Sequence, residues 1–118
     1  MADQWRVFDT TELRERALAG GNAYSEFLRV PDLSCGIYNL KRGDSDLQNP
    51  HDEDEVYFVL QGRGRVRVEG VEQEVKPGSL LYVAATSEHS FFEIEEDITL
   101  LVFFASGGPS GPSGPSGS

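Results

Sequence analysis

The residues best equipped for chemistry are few. The chain has two histidines, His51 and His89, and a single cysteine, Cys35. His51 precedes Glu55 by four residues within the segment 43–62, GDSDLQNPHDEDEVYFVLQG. On a helix that spacing sets an imidazole and a carboxylate on one face, as in helical zinc motifs. The run Val56-Tyr57-Phe58-Val59-Leu60 is too β-branched and aromatic for a helix to be the better reading. On a straight strand the two Cα atoms would stand ~13 Å apart at ~3.3 Å per residue, too far for one metal ion. A turn at Asp52-Glu53-Asp54 folds His51 back beside Glu55, and polar, acidic residues suit such a turn. The spacing permits a shared site without requiring one. Tyr57, two residues past Glu55, shares its side of a strand, either as a hydroxyl that relays a proton or as a plain lining aromatic. By the same alternation Phe91 and Glu93 share the face of His89. There Glu93 either steadies an imidazole, adds a carboxylate, or sits at the strand's wet end. Cys35, inside LSCGIY, reads as a small buried hydrophobe rather than a reactive thiol.

The elements that must position these groups are strands. Asp9-Thr-Thr-Glu12 supplies an N-cap with a glutamate three residues on, and Leu13, Ala17 and Leu18 give one apolar stripe. Gly20-Gly21 ends that one short helix near residue 19. Strands are expected at 4–8, 24–30, 33–40, 55–60, 65–69, 71–75, 79–83, 89–94 and 98–104. Turns are expected at Gln61-Gly62-Arg63-Gly64 and Glu95-Glu96-Asp97 among others. About nine short strands with closely spaced turn signals predict an all-β sandwich or barrel with one N-terminal helix. Val56, Phe58 and Leu60 form a second apolar row, so another sheet or a partner subunit covers that side. Arg63, Arg65 and Arg67 alternate with Gly64, Val66 and Val68 and face outward as a solvated stripe, or inward as an anion clamp.

The 118 residues suffice for one domain, placed at residues 1–106. Residues 107–118 contain only Gly, Pro and Ser, which leaves nothing to bury, and read as a flexible tail or linker. No run approaches the ~18 apolar residues of a membrane span, and no signal sequence opens the chain, so no membrane partner is expected. Ten basic against twenty acidic residues give a net charge of −10, which repels phosphate backbones and argues against nucleic acid. One cysteine closes no intrachain disulfide, which fits a cytoplasmic setting.

Two stretches resemble the paired motifs of the cupins. Gly43, Asn49, His51, Glu55 and Gly62 follow the spacing of the first motif, with Asn49 where the family usually has its first histidine. Gly78, Ala84, Thr86, His89 and Glu93 follow the second, with Ala84, Thr86 and Glu93 replacing the usual Pro, Gly and Asn. Fifteen residues, 63–77, separate the motifs, and the resemblance spans 30–104. It implies a small antiparallel β-barrel of jelly-roll type, often a homodimer, holding a metal inside one end. Carried over residue by residue, it implies ligation by His51, Glu55 and His89, with Asn49 in the fourth ligand's place. Two imidazoles and one carboxylate suit Fe²⁺ with open positions, and Zn²⁺, Mn²⁺ or Ni²⁺ also match. The expected function is metal-dependent chemistry on a small organic molecule: dioxygenase-like oxidation first, isomerase or lyase chemistry next. The alternative is a non-enzymatic small-molecule-binding cupin, metal-free or with a weak structural metal.

Overall fold

The computed structural model of the chain describes residues 4–44 and 52–105. Asn49, His51, the expected domain boundary at 106 and the tail at 107–118 lie outside the described residues. The helix α1 runs Thr10–Gly20. The carboxylate of Asp9 accepts hydrogen bonds from the backbone N–H groups of Thr11 and Glu12, which have no partner inside the helix. Gly21, in the left-handed region at φ 77°, closes the other end. Leu13 and Ala17 are buried, whereas Leu18 is exposed.

Six strands follow: β1 (Tyr24–Val30), β2 (Leu33–Leu40), β3 (Glu55–Val68), β4 (Val71–Val75), β5 (Leu80–Val83) and β6 (His89–Phe104). All pairings are antiparallel, in the order β1-β2-β6-β3-β4, with β5 also on β3. The expected fold class holds: mostly strand, one short helix, a jelly-roll sheet, here curled without closing. Nine expected strands become six for two reasons. Residues 4–8 form no strand. The two pairs expected on either side of Gln61–Gly64 and Glu95–Asp97 are single long strands that bend.

That bend makes the site. β3 and β6 pair from Glu55↔Phe104 to Val68↔His89, with register shifts between Val59 and Arg65. Across the shifts, β3 advances from Gln61 to Arg65 while β6 runs from Thr99 back to Phe92, so β6 carries the extra residues. Bulges of this kind bend a ribbon sharply. Gly62 allows close approach at the corner with φ 91°, packed against the backbone of Asp97 and Ile98. Glu93 takes a left-handed φ of 47° on the other strand. The ribbon folds over, so its 55–59 half faces its 89–92 half.

The enclosed core holds Tyr57, Val59, Val66, Val75, Val83, Phe91, Ile94, Ile98, Leu100 and Val102. A second cluster lies on the other face of the sheet. There Leu13 and Ala17 of α1 cover Ile37, with Phe8, Phe27, Leu60 and Leu101 around them. One of the three residues of the expected second apolar row is therefore covered within the chain, since Leu60 packs against the cluster that α1 covers. Arg14 Nε donates to Thr99 Oγ1 (3.1 Å) and Thr99 Oγ1 to Asn39 Oδ1 (2.7 Å), fastening the helix to β6 and β2. The arginine stripe faces outward, with Arg67 on Glu72 at 2.6 Å and over the ring of Phe92. Cys35 is buried, and burial pushes its thiol pKa up, which keeps it in the unreactive form. No helix among the described residues is long and apolar enough to cross a membrane.

Candidate functional site

Between the two halves of the bent ribbon, Glu55 and Tyr57 of β3 meet His89 and Phe91 of β6. Glu55 and His89 have side chains 1% and 0% exposed, with Glu55 Oε1 3.7 Å from His89 Nε2. The hydroxyl of Tyr57 lies against both: it donates to Glu55 Oε1 at 2.5 Å and stands 3.0 Å from His89 Nε2. Phe91 packs edge-on against the Tyr57 ring, with centroids 5.2 Å apart. The other imidazole nitrogen, Nδ1, is 3.0 Å from the carbonyl oxygen of Ser87. A carbonyl only accepts, so Nδ1 carries a hydrogen, and Nε2 is the nitrogen turned toward the cluster. Metal-bound histidines take this form, with the second nitrogen held by a carbonyl.

The loop that aims His89 is tied down by two acidic residues, Asp54 and Glu69. Asp54 Oδ1 accepts from Ala85 N at 2.8 Å, while the Asp54 carbonyl accepts from Ala105 N at 3.1 Å. Glu69 Oε2 accepts from Glu88 N at 2.6 Å, and Glu69 N donates to the Glu88 carbonyl. Asp54 thus binds the start of β3 to the end of β6 and to the turn before His89. No local signal singled out Asp54 or Glu69, because their partners are 31 and 19 residues away.

Glu93 is a correction. Its left-handed backbone breaks the alternation, so it is exposed and Ile94 takes the inward place. It does not share the face of His89 and Phe91. Asn49 and His51 are outside the described residues. Among the described residues, no group of three or more His, Cys, Asp and Glu is placed to hold a metal ion. The two donors that are described do fit one. Bonds of ~2.0–2.2 Å put two ligands of an ion at most ~4.4 Å apart, and Glu55 and His89 stand within that reach.

Residues 36–104 match the cupin domain family, Cupin_2. The chain belongs to the cupins. This cupin is 41% identical over 100 residues to "Uncharacterized protein SCO3923" of Streptomyces coelicolor, covering 85% of this chain and 95% of that one. It is 30% identical over 95 residues to dimethylsulfoniopropionate lyase DddW of Ruegeria pomeroyi, and 28% over 72 residues to 5-nitrosalicylic acid 1,2-dioxygenase of a Bradyrhizobium. These matches cover 80% and 61% of this chain but only 60% and 35% of the lyase and the dioxygenase. Among solved structures, salicylate 1,2-dioxygenase from Pseudaminobacter salicylatoxidans superposes with a TM-score of 0.68 at 18% identity, over 81% of this chain and 32% of the other. That likeness is one of fold.

Proposed function

We propose that this cupin is a metal-dependent enzyme acting on a small organic molecule inside the curled sheet. Glu55, His89 and His51 would hold the ion and Asn49 would occupy the fourth place. The observation that carries this is the buried pairing of Glu55 and His89, with Nδ1 tethered to a carbonyl and Nε2 turned inward. Fe²⁺ suits two imidazoles and a carboxylate best, with Zn²⁺, Mn²⁺ and Ni²⁺ next. When bound, such an ion supplies Lewis acidity and open positions for substrate, water or O₂. The chain's own residues do the rest. Phe91 and Tyr57 exclude water, and the Tyr57 hydroxyl holds a proton beside Glu55 Oε1. Glu93, exposed, is given no part.

Dioxygenase-like oxidation and lyase chemistry both draw support from relatives named for those reactions. The competing reading is a binding cupin without catalysis. The proposal includes a homodimer, because Leu80 and Tyr82, cross-strand neighbours of the half-buried Phe58 and Val56, are 70% and 61% exposed. Elemental analysis of protein purified without chelator or histidine tag tests the metal centre. Stoichiometric Fe, Mn or Zn is expected in the parent, with loss in Glu55→Gln, His89→Gln and His51→Ala at unchanged circular dichroism. Full occupancy in any of these variants sinks the assignment. A monomer by light scattering at micromolar concentration sinks the dimer.

A further inference from the structure

Gly36 lies on the inner side of β2, level with Val102 on β6 and, beyond it, Tyr57 on β3. Lacking a side chain, it leaves a space that the ring of Tyr24, from the edge strand β1, occupies. A Cβ on residue 36 would clash with the phenol carbon and oxygen of that ring. Seated there, the Tyr24 ring stands 6.1 Å from Phe104 at 78° and 6.4 Å from Tyr38 at 68°. Two rings therefore stand steeply to a third, as walls meet at a corner. All three remain partly open to solvent. Phe104 is directly opposite Glu55 in the sheet, so this corner borders the Glu55–Tyr57–His89 cluster.

The electrostatics around the corner favour one sign of ligand. Burial, then the carboxylate of Glu26, push the Tyr24 phenol pKa up to about 12, with smaller pushes from Cys35 and Glu55 and an opposing pull from Arg29. Arg29 is already committed to Glu26 by hydrogen bonds of 2.9 and 3.1 Å. The guanidinium beside the ring is thus already paired, in a chain whose net charge is −10. Aromatic faces attract cations through their quadrupole, most strongly for alkylated ammonium ions held among several rings. The charge of such an ion lies on methyl groups, which pack against ring faces and form no conventional hydrogen bonds.

We propose that Tyr24, Tyr38 and Phe104 form a seat for an onium cation at the rim of the candidate site, and that the protein's ligand carries a quaternary ammonium or sulfonium head. This deepens the proposed function and rests on its placing of the substrate inside the curled sheet.

The test is a calorimetric titration of the full chain, with its metal as purified, in physiological salt. The probes are choline and its neutral isostere 3,3-dimethylbutan-1-ol. Choline is expected to bind at least about tenfold more tightly, ~1.4 kcal/mol. Tyr24→Leu keeps the space over Gly36 filled but removes the ring faces, and is expected to lose about tenfold of choline affinity. Tyr24→Phe keeps the faces and is expected to stay within about threefold. A general pull of the acidic surface on cations would survive Tyr24→Leu, which changes no charge, so unchanged choline affinity in that variant overturns the seat. Equal binding of the two isosteres, tighter binding of salicylate than of choline, or no choline binding at millimolar concentration also overturns it. A metal-free protein that still prefers choline refutes the metal centre and leaves the seat standing. A metal-loaded protein indifferent to choline does the reverse.

Discussion

Gly62→Ala should damage this protein out of proportion to the single methyl it adds. Residue 62 has φ 91°, where an L side chain costs about 1–2 kcal/mol. The new methyl would fall on the carbonyl oxygen of Asp97 and 2.6 Å from the Cα of Ile98, both backbone atoms that no rotamer change can move. Ordinary carbon contacts begin near ~3.5 Å, so the strands must part by about 1 Å where β3 and β6 bend together. Overpacking of that kind adds about 1–3 kcal/mol, for a total near ~3 kcal/mol. Gly70→Ala is the internal control. Its φ is 81°, but nothing lies within 4 Å of the added methyl, so only the backbone term of about 1–2 kcal/mol applies. With a urea slope of ~2 kcal/mol/M, the midpoints of the two variants should differ by about 1 M. The corner also sets how far Glu55 and Tyr57 stand from His89. Gly62→Ala should therefore weaken metal binding under folded conditions, while Gly70→Ala should not. Coincident urea midpoints would refute the close packing at the corner, and parent-like metal affinity in folded Gly62→Ala would refute its role in setting the site.

Tyr57→Phe removes the hydroxyl that donates to buried Glu55, so the metal-free protein should lose about 1.5–3 kcal/mol in chemical denaturation. Metal affinity should hold or rise in the same variant, since neither donor is touched; a loss of metal would make Tyr57 a ligand. Tyr24 gives a pH signature. Its pKa is raised from 10 to about 12 on folding, so its contribution is complete below pH 10 and is lost as pH climbs toward 12. The full rise would be worth about 2.7 kcal/mol, and screening at the partly exposed ring reduces that to about 1 kcal/mol. The stability difference between parent and Tyr24→Phe should therefore shrink by about that amount between pH 10 and 12, and an identical pH slope in the two proteins would contradict the burial of the phenol.

Local patterns in the chain were enough to determine whatever is local in space. β1, β2 and β4 run over the residues their alternation and flanking turns indicate, and α1 ends within a residue of its glycine pair. Asp9 caps the helix because its carboxylate reaches N–H groups two and three residues on, a contact written entirely in neighbouring positions. Glu55, Tyr57 and His89 were legible for the same reason. Period-two alternation puts 55 and 57 on one side of a strand, and two histidines leave little choice of imidazole.

The tertiary structure decided where pairing continues through residues that look like turns. Gln61–Gly64 and Glu95–Asp97 have the chemistry of hairpin tips, yet each lies opposite the other. Together they form a bulged corner of one continuous ribbon, which neither segment specifies alone. The same corner turns Glu93 outward, because a left-handed residue shifts every later side chain to the other face. It also brings Tyr57 within 3.0 Å of His89, 32 residues away. The tyrosine over Gly36 and the aspartate that ties the loop before His89 were hidden likewise. Each depends on which strand lies alongside, and that neighbour is chosen by how the whole sheet curls around its apolar interior.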